Sequence, residues 1–415
     1  MYKPRVADIE LGNKLAAAGA VVIEGPKACG KTATARQKSK SEVLLDIDDN
    51  ARAAIAVDPA IILEGKTPRL LDEWQIEPSI WNHIRRSVDE RQKTGQYILT
   101  GSAVPADDIT RHTGAGRISR LKLRTMSSFE TDYSSGQIKL ADLLLGRFSS
   151  SPDSPLDINE LAKRICKGGW PGNLNLGVKA ALNSQRDYLD EIQRLDIVRV
   201  DQVRRDPENV ARVMRSLARN ISTMVTAKNI AIDAGGSDGA LDDDTVRDYL
   251  RALARLMVVE DQPAWAPHLR SKSLLRKAAK RHFVDPSLAV AALRADPGRL
   301  LKDLELFGFL FESMVVRDLR VYAQSSDAKV FHYRDNTGLE VDAIVEAGNG
   351  CWAAFEIKLG VGRIDEAAKN LLRFKERIDL KKCGEPGILA VIVGGGYGYL
   401  RKDNVAVIPI DTLGP

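Results

Sequence analysis

The chain has 415 residues, 44% apolar and 28% charged, with a formal net charge of +5. That is a globular composition, long enough for two or three domains. No run approaches the ~18 uncharged apolar residues a membrane-spanning helix needs, and Met1-Tyr2-Lys3-Pro4-Arg5 opens a charged amphipathic stretch rather than a signal peptide. Four scattered cysteines (Cys29, Cys166, Cys351, Cys383) lack paired or zinc-type spacing and suit a reducing cytoplasm, while five isolated histidines give a transition metal no support.

Residues 20 to 125 alternate strand and helix, the pattern of a mostly parallel sheet covered on both faces. Ala20–Glu24 is a short apolar strand. Gly25-Pro26-Lys27-Ala28-Cys29-Gly30-Lys31-Thr32 follows with the spacing G-x-x-x-x-G-K-[ST], and Thr32–Gln37 can open a helix. In that setting glycines let backbone N–H groups close around phosphates, and the helix start adds partial positive charge. Lys31 is expected on the β/γ-phosphates of ATP and the Thr32 hydroxyl on Mg²⁺.

Val43–Asp48 reads as a second strand. Arg69-Leu70-Leu71-Asp72-Glu73 ends a third on two acids, a Walker B pattern in which Asp72 holds Mg²⁺ and Glu73 polarises the attacking water. Gln96–Ser102 is a further strand, with Thr100 the first choice and Ser102 the second for a hydroxyl that orients that water. Arg111–Arg117 is a basic loop before the strand Ile118–Leu123. Arg117, or Arg111 in its place, could reach the γ-phosphate held by a neighbouring subunit, which requires a ring or at least a dimer.

After Ser149–Pro155 the pattern turns helical to about residue 285. Gly168-Gly169-Trp170-Pro171-Gly172 reads as a structural turn pinned by one buried aromatic. Thr226–Ala231 and Asp244–Leu256 read as a helix-turn-helix with Asp244 as cap and a buried stripe of Val246, Tyr249, Leu250, Leu253 and Leu256. Arg247, Arg251 and Arg255 share the other face, and Val258–Asp261 would start a wing. Two basic groups, Arg199 to Arg219 and Arg270 to Arg281, are weak pointers to nucleic acid, because a solvated helix face is the commoner explanation.

Near residue 305 the pattern changes again. Leu306–Tyr322 is predicted as an amphipathic helix carrying Glu312. Val330–Arg334, Leu339–Glu346 and Cys351–Leu359 follow as strands, then a helix over 365–378 and a strand over 387–393. Glu356 and Lys358, two apart, share one face of their strand, Asp342 lies on the neighbouring strand, and Glu312 approaches from the helix. This arrangement resembles the restriction-endonuclease-like PD-(D/E)XK fold. The resemblance implies acids that bind Mg²⁺ and a lysine that stabilises developing charge.

Gly25–Thr32, Leu71-Asp72-Glu73-Trp74-Gln75, Ile80-Trp81-Asn82, Ile98–Ser102, Gly116-Arg117 and Ser127-Ser128-Phe129-Glu130 together resemble the prokaryotic AAA+-like ATP-binding proteins that carry a C-terminal domain of unknown function. The resemblance implies a P-loop ATPase, with a hexamer as the family-level expectation. The reading is an α/β chain of three domains: an AAA+-like ATPase (1–145), a helical lid with a winged-helix-like part (146–285), and a nuclease-like domain (286–415). The expected activity is that of a cytoplasmic, Mg²⁺-dependent ATPase that forms a homo-oligomer, acts on DNA through its C-terminal domain and has no membrane partner. Two alternatives stand beside it: an ATP-regulated nuclease for DNA ends or junctions using Glu312, Asp342, Glu356 and Lys358, and a nucleotide-switched scaffold that binds protein partners and cuts nothing.

Overall fold

A computed structural model describes residues 2–102, 114–199, 203–236, 239–267 and 278–415. They fall into two compact units: Met1–Thr125 with Leu195–Arg204 and Arg251–Val258, and Met126–Arg194 with Arg205–Leu250 and Val259–Pro415.

The first unit begins with α1 (Ala7–Ala17), β1 (Ala20–Glu24), α2 (Lys31–Arg36), β2 (Ser41–Leu44), α3 (Asp49–Val57), β3 (Arg69–Asp72), α4 (Ile80–Arg91), β4 (Tyr97–Gly101) and β5 (Ile118–Lys122). Its five strands lie in the order β2-β3-β4-β1-β5, every neighbour parallel. A parallel sheet is covered on both faces, so its strands read as continuous apolar runs; Ala20, Val21, Val22 and Ile23 are all fully buried. Helix α4 turns Ile80, Trp81, Ile84 and Val88 inward at helical spacing, and Trp81 packs on Trp74 with ring centroids 5.0 Å apart. Because the chain places β4 between β1 and β3, the C-terminal ends of three parallel inner strands, carrying Glu24, Asp72 and Thr100, lie side by side at one end of the sheet.

The rest of the chain carries β6 (Ile138–Lys139), α5 (Leu140–Leu144), β7 (Ser151–Ser154), α6 (Ile158–Lys167), α7 (Val178–Glu191), α8 (Ile197–Arg199), α9 (Pro207–Arg219), α10 (Ala227–Ala234), α11 (Asp243–Arg255), α12 (Pro286–Ala292) and α13 (Pro297–Leu300). It ends with α14 (Leu304–Ala323), β8 (Ala328–Arg334), β9 (Glu340–Ala347), β10 (Trp352–Lys358), α15 (Ile364–Arg377), α16 (Leu380–Cys383), β11 (Leu389–Val393), β12 (Gly396–Leu400), β13 (Val405–Pro409) and β14 (Leu413–Gly414). A seven-stranded sheet runs β7-β12-β13-β11-β10-β9-β8. Strands β8, β9 and β10 form an antiparallel meander, and α15 carries the chain over so that β11 pairs parallel with β10. Against this sheet α15 presents Ile364, Ala367, Ala368, Leu371 and Phe374, in a core with Trp265, Tyr333 and Trp352. Among the described residues no helix is long and apolar enough to cross a membrane.

Several local expectations change. Helix α14 is not amphipathic: from Leu310 to Ala323 every side chain is buried, including Glu312, Arg317 and Asp318. Its charges are tolerated because they pair inside. The Arg317 guanidinium bonds Asp285 at 2.9 Å and Asp318 at 2.8 Å. Asp242, not Asp244, caps α11, accepting from the backbone N–H of Asp244 and Thr245 at 2.9 and 3.0 Å. In place of a strand over 258–261 there are single antiparallel bridges, Val259 to Phe283 and Gln262 to Lys280. Two further strands, β12 and β13, extend the sheet beyond the predicted final one.

The Gly-Gly-Trp turn is a structural joint. A side chain at Gly169 would meet the Met126 carbonyl at 2.0 Å, the Gly169 N–H donates to Asp285 at 2.9 Å, and buried Trp170 donates to Ser287 at 3.2 Å. Much of the basic surface read from sequence is paired internally: Arg205 with Asp248, Arg212 with Glu208, Arg219 with Asp233, Arg247 with Asp244 and Arg281 with Asp261. Arg270, Lys272, Arg276 and Lys277 lie outside the described residues, as does Arg111.

Candidate functional site

The loop between β1 and α2 is shaped by contacts that leave no room for ordinary side chains. A Cβ at Gly25 would sit 2.2 Å from the Leu123 carbonyl, and Ala28 and Gly30 both take left-handed backbone, with φ of +60° and +102°. From below, the Arg5 guanidinium donates to the Cys29 carbonyl at 2.9 Å and the Arg124 carbonyl at 2.8 Å, fixing the loop to the segment just after β5. Burial pushes the Cys29 thiol up, against the pull of Lys31 and Arg5, so it stays a protonated filler.

Lys31 is only 5% exposed. Its ammonium donates to the carbonyls of Gly25 at 3.0 Å and Pro26 at 2.9 Å, which folds the lysine back across the loop. The Thr32 hydroxyl donates to Asp72 Oδ1 at 2.9 Å, joining α2 to the end of β3. Thr100, fully buried at the end of β4, donates to the same oxygen. Thr32 and Asp72 are hard oxygen donors held side by side, a set that fits Mg²⁺.

Glu73 leaves the strand in left-handed backbone, φ +52°, a conformation a glutamate holds only when its surroundings impose it. Its carboxylate accepts from Ser102 at 3.3 Å and from the Gln75 amide. Glu73, Ser102, Gln75, Lys27, Lys31 and Thr32 line a cleft of about 850 Å³, together with Asp46, Arg36 and Asp196. Of the two hydroxyls at the end of β4, Ser102 faces this cleft and Thr100 lies beneath Asp72.

Arg117, expected at a neighbouring subunit's γ-phosphate, does not line the cleft of its own chain. Its carbonyl accepts from Ala20 at the start of β1, about 13 Å of strand from the phosphate-loop end, and its exposed guanidinium pairs with Asp89 at 2.8 Å. Sequence reasoning missed Asp196, which accepts from Lys27 at 2.6 Å. It lies 164 positions beyond the motif's last residue (196 minus 32), and nothing local marks it. Gln75 had a signal: it stands two positions after Glu73 in the Asp-Glu-Trp-Gln run.

A second cluster lies in the other unit. Asp342 on β9, Glu356 and Lys358 on β10 and Glu312 on α14 come together as their spacing predicts. Lys358 Nζ meets Glu356 at 2.6 Å and Asp342 at 3.2 Å. Asp342 also accepts the Ile357 N–H at 2.9 Å, and Asn370 donates to Glu356 at 2.7 Å. Sequence reasoning missed the central group, Lys280. Its ammonium lies 2.8 Å from Glu312, 2.8 Å from Glu340 and 3.5 Å from Asp342.

Burial opposes charge throughout this cluster and prevails at two of its carboxyls. It lifts Glu312 to about 7 in spite of Lys280, and burial together with repulsion from Asp342 lifts Glu356 to about 8. Burial would raise Asp342 too, but Lys358 and Lys280 outweigh it and hold that carboxyl down at about 2. For both lysines burial is outweighed by the carboxylates, which keep the ammoniums charged well above the usual range.

Residues 17–131 match the family model of the AAA domain. The N-terminal part is a P-loop ATPase-like domain. Residues 158–299 and 307–413 match two further families, each described as a domain of unknown function (DUF8612 and DUF4143). No curated protein matches the chain. Among solved structures, a Walker-type ATPase of Pyrococcus abyssi is similar at 12% identity and a TM-score of 0.42, over 69% of this chain and 94% of that one.

Proposed function

We propose that the chain binds ATP in the cleft between β1, β3 and α2 and hydrolyses it. The observation that carries this reading is the Thr32–Asp72 hydrogen bond beside an inward-folded Lys31: the phosphate-loop lysine and hydroxyl line one cavity, and the acid is bonded to that hydroxyl just behind it. Lys31 exchanges its two carbonyl partners for β/γ-phosphate oxygens, and the loop N–H groups cradle the rest of the triphosphate. Thr32 and Asp72 would hold Mg²⁺, which neutralises charge developing on the phosphates. Thr100 keeps Asp72 turned toward Thr32. Glu73, anchored by Ser102 and Gln75, orients the attacking water and takes up its proton.

The test is steady-state hydrolysis and binding of labelled ATP by the full chain. Glu73→Gln is expected to keep ATP affinity and lose about 10²-fold or more in turnover, while Lys31→Ala loses both. Wild-type protein that retains no ATP overturns the reading.

A second reading concerns the C-terminal part: a restriction-endonuclease-like fold that brings the ATPase to DNA. What supports it is the order α14-β8-β9-β10-α15-β11, a helix, a meander, a crossover helix and a parallel strand, with Asp342, Glu356 and Lys358 meeting on the two inner strands. Duplex, single-stranded or four-way DNA is then expected to change the ATPase rate. A rate indifferent to every DNA, with a protein partner recovered by pull-down, returns the scaffold alternative.

A further inference from the structure

The nuclease-like reading implies Mg²⁺ among Glu312, Asp342 and Glu356. The residues present do not fit it. Among the described residues no group of three or more histidines, cysteines or acids is arranged to hold a metal ion, although four carboxylates lie close together. Among them stands Lys280, which is 2% exposed and places its ammonium against Glu312, Glu340 and Asp342. A Mg²⁺ ion there would need oxygens at about 2.0–2.1 Å with several waters retained. Instead the oxygens stand at ammonium distances around a positive charge that would repel the incoming ion.

Lys280 is not a surface side chain that has strayed inward. Its N–H donates to the Gln262 carbonyl at 3.0 Å, and its carbonyl accepts the Gln262 N–H at 2.9 Å. Gln262 is itself fixed, its amide donating to the carbonyls of Phe331 at 2.9 Å and Asp342 at 3.0 Å. Two residues on, His282 is buried between Ser313 and the Gln262 side chain, 3.1 Å from each. The backbone that delivers the ammonium is therefore held on both sides before any charge is considered. On the far side of Asp342, Lys358 supplies a second cation.

We infer that the Lys280 ammonium occupies the cation position of this cluster, so the C-terminal part keeps its buried carboxylates without a divalent metal and has no metal-dependent cutting centre. The cluster is a built-in counterion site that ties the Gln262–Lys280 bridge to α14 and β9. This follows from the lysine's geometry alone and stands whether or not the cleft of the other unit hydrolyses ATP.

The test is Mn²⁺ binding to the nucleotide-free full chain, followed by electron paramagnetic resonance. Asp342→Asn is expected to leave the number and affinity of wild-type Mn²⁺ sites unchanged. Lys280→Met is expected to gain one site, at least tenfold tighter than any in the wild type, and Lys280→Met/Asp342→Asn to lose it again. A wild-type site that Asp342→Asn removes overturns the inference, and so does a folded Lys280→Met protein with no new site. Should Lys280→Met fail to fold, the wild-type against Asp342→Asn comparison decides alone.

Discussion

Asp72 Oδ1 accepts from two hydroxyls at once, Thr32 from α2 at 2.9 Å and Thr100 from β4. One is beside the phosphate loop and the other is fully buried behind it. The buried donor fixes the carboxylate's rotation, and the outer one is the partner that Mg²⁺ would displace. Thr100→Val should therefore act on metal use rather than on nucleotide binding. The expected outcome is an apparent Mg²⁺ requirement raised about 10-fold or more, with ATP affinity unchanged, measured as hydrolysis rate against Mg²⁺ concentration.

Lys27 and Asp196 make the next prediction. Their 2.6 Å pair joins the phosphate loop to a residue that is only 7% exposed at its side chain. While paired, the Lys27 ammonium is engaged by Asp196, which adds a negative charge to the cleft wall. Asp196→Ala removes that charge and frees the lysine. ATP binding, followed by a fluorescent nucleotide, should tighten by about 3- to 10-fold, in line with about 1 kcal/mol for a half-exposed pair. Weaker binding in this variant would mean that Asp196 touches the nucleotide itself.

What the sequence made legible tracks how local each signal is. The phosphate loop and the Asp72-Glu73 strand end are contiguous runs whose spacing is set by one turn of backbone, and the structure builds them where they were read. The same holds for the meander that brings Asp342 to Glu356 and Lys358, because period two fixes which side chains share a face. Lys280 was not legible. Its neighbours Lys277 and Arg281 made it look like one more surface cation, and only the approach of Glu312, Glu340 and Asp342, 32 to 62 positions away, makes burial tolerable. Helix α14 misled for a related reason: Arg317 and Asp318 look like a polar face until Asp285 closes over them.

Glu356 should make the stability of its unit depend on pH. Burial and the nearby Asp342 raise its folded value from 4.5 to about 8, so between those values the folded state holds a proton that the unfolded chain has released. Stability then falls as pH rises through that window and levels off above it. Asp342 acts oppositely and elsewhere: held at about 2 against 3.8, it stabilises above 3.8, and that contribution is lost as pH falls through 2. Glu356→Gln has no proton to lose. Its urea midpoint should gain on the wild type steadily from about pH 5 to about pH 8 and no further above that. A constant difference across the range would mean that Glu356 ionises alike in both states.

Arg317 offers the largest expected loss of stability. Its guanidinium is buried between Asp285 and Asp318, and those carboxylates in turn hold the backbone N–H groups of Gly169 at 2.9 Å and Ser128 at 3.2 Å. Arg317→Met keeps much of the volume but strands two buried acids. Removing one partner of such a group destabilises by about 3–5 kcal/mol, because the remaining charges have neither water nor a counterion. Acid alone should partly rescue the variant, since protonating Asp285 and Asp318 removes the unpaired charge. The check is urea unfolding followed by tryptophan fluorescence at neutral and mildly acidic pH. An Arg317→Met protein as stable as the wild type at neutral pH would mean that the two carboxyls are already protonated in the native fold.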